Sequence, residues 1–242
     1  MLSNWEIPVP KEAQLASPWF AHPQQWLEGT GLDAMVIQRE HIGAEQYVEM
    51  WLRDGGLRPA DADFAPTYAA WLTDFRARSV AAVGFGYLLL GTARQLSETE
   101  SSPPLAERAP ARMFQELRGA APENLAAYFE PIWENRYLVD SPETLLDTRL
   151  VQADLTEHRF YMPGEEEPWL IKFTQLTGFG EEVQADTALA GFVSVCDGEL
   201  TVGQIVGALA QLLGADHAEL RDRTIPRVIE MIKLGMLTVL EG

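Results

Sequence analysis

Two apolar runs set the terms for the front of this chain: residues 33–40 (DAMVIQRE) and residues 80–90 (VAAVGFGYLLL). The first is short and bounded by Gly31 and a charged cluster, as a buried strand should be. The second lacks polar alternation, which fits a strand covered on both faces. Two amphipathic stretches lie between them. In AEQYVEMWLRDGG, Tyr47, Met50, Trp51 and Leu57 recur at helical spacing, and Gly55-Gly56 stops the helix. In FAPTYAAWLTDFRARS, Tyr68, Trp71, Leu72 and Phe75 stand at i, i+3, i+4 and i+7, the stripe of a helix lying on a sheet. Strand, two helices, then a strand able to return beside the first predicts an α/β layer.

Ahead of this block, MLSNWEIPVP reads as the stub of a strand turning at Pro8 and Pro10. Residues 22–32 predict a short helix with Trp26 and Leu27 inward, ended by Gly29 and Gly31. Behind it, ETESSPPLAERAPA is rich in Pro, Ser and Glu with little to bury, so residues 96–111 are expected to link a domain at 1–95 to one at 112–242. In that second part residues 125–133 and 142–155 predict helices, the latter with Ser141 as N-cap and Pro142 at its first position. A hairpin follows with its tip at Pro163-Gly164 and Glu165–Glu167, and with Trp169, Ile171 and Phe173 along one face.

The terminal stretch is the most sharply punctuated. Asp186 caps a helix carrying Leu189, Phe192, Val193 and Cys196, and Asp197-Gly198 turns the chain. Thr201 caps a second helix with Ile205, Val206, Leu209 and Leu212, stopped by Gly214. Asp216 opens a third with Leu220, Ile225, Val228, Ile229 and Ile232 inward, and MLTVL closes as a strand. Pro226 inside the third helix predicts a kink or a delayed start. Three helices and a strand beside a hairpin, residues 156–242, make an α+β plan of winged-helix type.

Charge narrows the partners. The chain carries a net −18, and residues 96–242 hold eleven Lys/Arg against twenty-five Asp/Glu. Such a surface repels phosphate backbones and anionic headgroups, and serves solubility. The third terminal helix holds Arg221, Arg223 and Arg227, with Lys233 near its end, yet residues 197–242 carry seven acids against four bases. A module with that balance is a poor DNA reader. Cys196, the single cysteine, sits in an apolar run as a small buried thiol, which excludes a disulfide framework. His22, His41, His158 and His217 form no short-spaced pair, so no metal site is expected. MLSNWE opens without a basic region or long apolar core, which predicts a cytoplasmic chain with no membrane partner.

With these elements placed, nearly the whole chain resembles the C-terminal part of a group of actinobacterial class I S-adenosylmethionine-dependent methyltransferases, related to the small-domain and glutamine-N5 type. The resemblance is carried by SNWE (3–6), the run from DAMVIQRE through EQYVEMWLRDGG, and AVGFGYLLL (82–90). In the second half it is carried by TQLTGFGEEV (174–183), VCDGELTVGQIVGAL and the terminal IKLGML. It implies that the first block is the end of a Rossmann-like sheet, incomplete here, comprising the end of the fifth strand, the following helix and the last two strands. The second block would be an appended winged-helix-like domain. It also implies transfer of a methyl group to nitrogen, on protein glutamine or a nucleic-acid base. The missing N-terminal methyltransferase half would be a partner, and a protein would be an acceptor.

The family's donor site needs a Gly-rich turn after the first strand and an acid ending the second, which hold the cofactor. Gly84-Phe85-Gly86 falls inside a predicted strand and Gly178-Phe179-Gly180 after a hairpin; as bare triplets neither opens a helix. The family's Asn-Pro-Pro-Tyr-type loop has its nearest text in Ser102-Pro103-Pro104-Leu105, which reads as a linker turn. S-adenosylmethionine is therefore the cofactor of the full-length family, and this chain alone is expected to hold no cofactor, catalytic or metal-binding residue. Asn4, Trp5 and Glu6 sit where the fifth strand would end, and the carboxyl edge of such sheets is where ligands lie, so these three are the substrate-facing candidates. The competing reading has Asn4 and Glu6 ending the strand while Trp5 packs. Tyr47, Trp51, Tyr68 and Trp71 are expected in the core rather than as a stacking platform, since no basic residues interleave with them. Glu165–Glu167 read as a solvated tip, and Glu143, Asp147 and Asp154 as carboxylates with nothing placed to tune them. The alternative function is a non-enzymatic protein-interaction module of winged-helix type.

Overall fold

The computed structural model describes residues 1–10, 19–92 and 109–239, within two compact units, Met1–Arg118 and Gly119–Gly242. In the first, strands β1 (Leu2–Pro8), β2 (Asp33–Gly43), β3 (Val80–Gly91) and β4 (Arg112–Glu116) make one sheet in the order β1-β3-β2-β4. Strand β3 is antiparallel to both β1 and β2, which therefore run the same way, and β4 joins β2 in parallel. The two apolar runs are neighbours, with Ile37 opposite Tyr87. The register shifts between Gln38 and Glu40, leaving Arg39 as the extra residue of a bulge.

Alternation along the strands divides the core. Trp5, Ile7, Val36 and Leu88 pack with Leu27 of α1 (Ala21–Leu27) on one face. Val80 and Val83 pack on the other with Val48 and Leu52 of α2 (Ala44–Asp54) and Leu72 and Phe75 of α3 (Phe64–Ala77). The helices form where the periodicity placed them, but their tryptophans turn outward. Trp26, Trp51 and Trp71 are 49%, 43% and 40% exposed, while the leucine after each (Leu27, Leu52 and Leu72) is buried. Successive helical residues point about 100° apart, so only one of each Trp-Leu pair can face the sheet.

Gly84 and Gly86 seat Trp5. A Cβ at Gly84 would lie 2.5 Å from both Trp5 Nε1 and Gln38 Oε1, and one at Gly86 would lie 1.8 Å from the Ile37 carbonyl oxygen. In the space this leaves, Trp5 Nε1 donates to Gln38 Oε1 at 3.2 Å, and Gln38 Nε2 donates to Glu116 Oε1. One polar chain thus ties β1, β2 and β4 within the buried face. The first unit runs on to Arg118 because β4 pairs with β2 and the Ala111 amide donates to the buried Asp33 carboxylate at 2.8 Å; the sequence placed its boundary earlier. Residues 93–108, most of the expected linker together with Ser102-Pro103-Pro104-Leu105, lie outside the described residues.

The second unit holds α4 (Leu125–Glu134), a 3-10 turn (Arg136–Asp140) and α5 (Pro142–Leu146), then strands β5 (Arg149–Gln152), β6 (Leu155–Tyr161), β7 (Pro168–Gln175) and β8 (Glu182–Ala185). It continues with α6 (Thr187–Ser194), β9 (Asp197–Thr201), α7 (Val202–Leu213), α8 (His217–Lys233) and β10 (Leu237–Val239). Two antiparallel sheets form, β10-β5-β9 and β6-β7-β8. The helix expected over 142–155 stops at Leu146, because residues 149–152 are claimed by strand partners on both sides, and pairing overrides local propensity. Asp147 is left at the C-cap of α5 and Asp154 between two strands, so these two and Glu143 share no helix face. Asp197-Gly198 begins β9 instead of making a free turn.

Three of the four helix caps stand as read, whereas Ser141 occupies the N-cap position of α5 without a side-chain capping bond. The Asp186 carboxylate accepts from Leu189 N–H at 2.8 Å, Thr201 and Gln204 form a capping box, and the Asp216 carboxylate accepts from Glu219 N–H at 2.9 Å. Helix α8 starts on time at His217 and carries Pro226 within it. Leu212 was expected inward and is exposed, lying beyond the last turn that meets the core.

Phe192, Val193, Val206, Val228 and Met231 are wholly buried in this core, with Cys196 beside them. Burial, with Asp197 adding to it, pushes the Cys196 thiol up to about 12. Above its unfolded value of about 8.5 the unfolded chain releases this proton while the folded chain keeps it. The unfolded state then binds fewer protons, and stability falls by about 1.4 kcal/mol per pH unit until the folded value is reached. Burial likewise raises Tyr128, whose hydroxyl donates to the Leu234 carbonyl at 3.0 Å, so it adds to the same trend above pH ~10. We expect the urea midpoint of the second unit to drop between pH 8 and pH 11, less steeply in Cys196→Ala. Equal slopes in the two proteins would contradict this assignment.

Candidate functional site

A cavity of about 780 Å3 lies along β1 in the first unit. Asn4 and Glu6 form its floor, Trp26 and His22 of α1 stand on one side, and Trp71 and Tyr47 of α3 and α2 stand on the other. Because α1 covers one face of the sheet and α2/α3 the other, the cavity opens at the sheet's edge, between overhanging helices. Its polar wall is closed by Arg78, which donates to Glu6 and, at 2.6 Å, to Asp74, and which lies 5.2 Å from the Phe75 ring centroid. Asp74, then Glu6, hold the Arg78 guanidinium above its ordinary value. Both carboxylates are committed to that guanidinium, and no Cys, Ser, Thr or Lys is among the described lining residues. The walls combine aromatic side chains with a few polar groups, as ligand-binding clefts do.

Of the three substrate-facing candidates, the structure brings Asn4 and Glu6 into the cavity. Trp5 borders it while almost wholly buried, its indole held by Gln38. Trp26, Trp71 and Arg78 were not read from the sequence as site residues. The signal available was the repeated Trp-Leu pair, in which two bulky neighbours cannot share one helix face. The Gly84-Phe85-Gly86 triplet lies within β3. Gly178-Phe179-Gly180 lies between β7 and β8, where Phe179 packs edge-on against Tyr128, with ring centroids 5.0 Å apart.

In the second unit a smaller cavity of about 310 Å3 lies between β8, α6 and α8. There Arg223 lies 3.4 Å from Asp186, while Arg227 donates to the Gln184 carbonyl and sits 2.9 Å from Glu230. Arg221 is paired with Asp222. The arginines of α8 are thus each set against acids. Among the described residues no cluster of three His, Cys, Asp or Glu side chains could hold a metal ion, and no helix is long and apolar enough to cross a membrane. No protein-family model matches the chain, and a search of curated proteins finds no match.

Proposed function

We propose that this chain is the C-terminal region of an S-adenosylmethionine-dependent methyltransferase that methylates nitrogen, on protein glutamine or a nucleic-acid base, with the donor bound by a half supplied from outside these residues. The observation that carries the reading is the return of β3 beside β2 and between β2 and β1, the closing move such a sheet requires. The cavity beside Asn4 and Glu6 supports it, because ligands of open α/β sheets lie outside the carboxyl ends of the strands and Glu6 is near the carboxyl end of β1. The second unit, with helices α6–α8, hairpin β6–β7 and strand β10, acts in this reading as a winged-helix-like accessory domain that positions the acceptor. Its paired arginines favour a protein contact over a nucleic-acid one.

The test joins this chain to the polypeptide encoded beside it. That polypeptide should contain a strand, a Gly-rich turn and an Asn-Pro-Pro-Tyr-like loop, and the joined protein should transfer labelled methyl from S-adenosylmethionine. Asn4→Ala should slow the transfer about tenfold or more while leaving donor binding unchanged. A neighbouring sequence without such a turn, or a joined protein without donor binding, overturns the proposal. One observation favours a second reading, a protein-interaction module: the outer end of the β6–β7 hairpin presents Phe160, Tyr161, Met162 and Trp169 to solvent.

A further inference from the structure

The β6–β7 hairpin turns large apolar side chains toward solvent, and its ladder shows how. Directly opposite residues of an antiparallel pair share a face. Arg159 lies opposite Ile171 and Glu157 opposite Phe173, and both Ile171 and Phe173 are buried in the core of the second unit. His158, Phe160, Leu170 and Lys172 therefore stand on the other face. Unbroken alternation would put Trp169 beside Ile171 on the core side, where the sequence placed it. The register instead shifts between Phe160 and Tyr161, leaving Trp169 as the extra residue of a bulge, a device that re-aims a side chain. Trp169 is 61% exposed, and its ring centroid lies 6.4 Å from that of Phe160, which in turn lies 6.4 Å from that of His158. The bulge takes a tryptophan off the core and sets it in a row of rings that meets water. Tyr161 and Met162, both half-exposed, follow at the turn.

Charge is distributed unevenly along the same hairpin. Away from the turn, Glu157 pairs with Arg159 and Glu182 of β8 pairs with Lys172 at 2.8 Å. The turn is closed by Glu165 N–H donating to the Met162 carbonyl at 3.1 Å, with Gly164 at a φ of 88°. It carries Glu165, Glu166 and Glu167, all exposed, whose carboxylates enter no ion pair among the described residues. The unspent negative charge of the hairpin is thus concentrated beside its apolar end. We propose that this end is a docking site for a cationic, apolar segment of a partner protein. Its apolar side chains cover Trp169 and Phe160, and its Lys or Arg side chains meet Glu165–Glu167 or lie over the Trp169 ring. Nucleic acid and anionic headgroups are repelled by those carboxylates, and a second copy would bring the same three and a net −18 to the contact. The site rests on the protein-interaction reading and adds to it the chemistry of the partner; the methyltransferase reading plays no part in it.

The experiment titrates the full chain against a blocked, dye-labelled peptide of about ten residues alternating lysine and leucine, read by fluorescence anisotropy. Saturable binding below millimolar concentration is expected. Trp169→Ala should weaken it about tenfold or more. The triple variant Glu165→Gln, Glu166→Gln, Glu167→Gln should weaken it comparably and flatten its salt dependence. All four side chains are exposed, so both variants should keep the parent's urea midpoint. A control triple, Glu28→Gln, Glu40→Gln, Glu143→Gln, removes the same charge from exposed positions elsewhere and should leave binding unchanged. Equal weakening by the control would show attraction by net charge alone and overturn the site. Absence of saturable binding, or binding indifferent to Trp169→Ala, overturns it as well. If the same peptide with glutamate in place of lysine binds equally and is lost in Trp169→Ala, the interaction reading stands and the cationic partner is rejected. Binding of a single-stranded oligonucleotide, or concentration-dependent dimerisation, either of them lost in Trp169→Ala, would likewise overturn the assigned occupant.

Discussion

Replacing Gly86 by alanine is expected to cost the first unit about 3 kcal/mol or more, enough to unfold a marginally stable domain. The added Cβ would fall 1.8 Å from the Ile37 carbonyl oxygen, 2.9 Å from its carbon and 3.0 Å from Trp5 Cη2. The first two atoms are backbone of the neighbouring strand, so relief requires β2 and β3 to separate, which breaks the ladder that positions both. The contrast with Gly84 is instructive. Its Cβ would meet Gln38 Oε1 and Trp5 Nε1, side-chain atoms that can rotate away at the expense of their hydrogen bond. Gly84→Ala should therefore destabilise less than Gly86→Ala. Urea titration followed by tryptophan fluorescence reads both, since five of the seven tryptophans (Trp5, Trp19, Trp26, Trp51 and Trp71) lie in this unit. A Gly86→Ala midpoint equal to that of the parent would refute the close approach.

The second large effect is Phe192→Ala. Phe192 is the largest fully buried side chain among the described residues and belongs to the second unit's core with Leu189, Val193, Val206 and Val228. Truncation removes most of an aromatic ring and leaves a void that helices α6, α7 and α8 cannot close, because each is fixed at its start by a side-chain cap. The expected loss is about 3–5 kcal/mol. Phe192→Leu, which keeps most of the volume, should recover more than half of it. If alanine and leucine variants melt together, the site is less tightly packed than its burial indicates.

Much of this molecule was legible from pattern and punctuation. Asp186, Thr201 and Asp216 announce their helices because a short polar side chain before an apolar stripe has one favourable use, and Gly214 ends a helix at a φ of 62°. The two apolar runs were legible as adjacent strands for the same reason: nothing polar interrupts them. What stayed hidden depended on residues far away in the chain. Residues 149–152 look helical locally and become a strand only because β9 and β10 arrive to flank them. Residues 112–116 looked like the start of a new domain and belong to the first sheet through β2. The site was half legible. Asn4 and Glu6 were singled out by position on β1 and line the cavity, but Trp26 and Trp71 were assigned inward because hydrophobic periodicity counts a tryptophan and a leucine alike. It cannot say which of two adjacent bulky residues the sheet has room for.

The strand order β1-β3-β2-β4 also dictates a schedule. During synthesis β1 is made well before β3, its one neighbour among the described strands, and Trp5 has no seat until Gly84 and Gly86 have been made. At ribosomal speeds of about 5–20 residues per second, β1 waits for β3 for roughly 4 to 16 seconds. Through that interval Trp5 and Ile7, later among the most sheltered residues, are exposed to whatever the nascent chain meets. A sheet wired in this order gains from any early cover over Trp5 and Ile7.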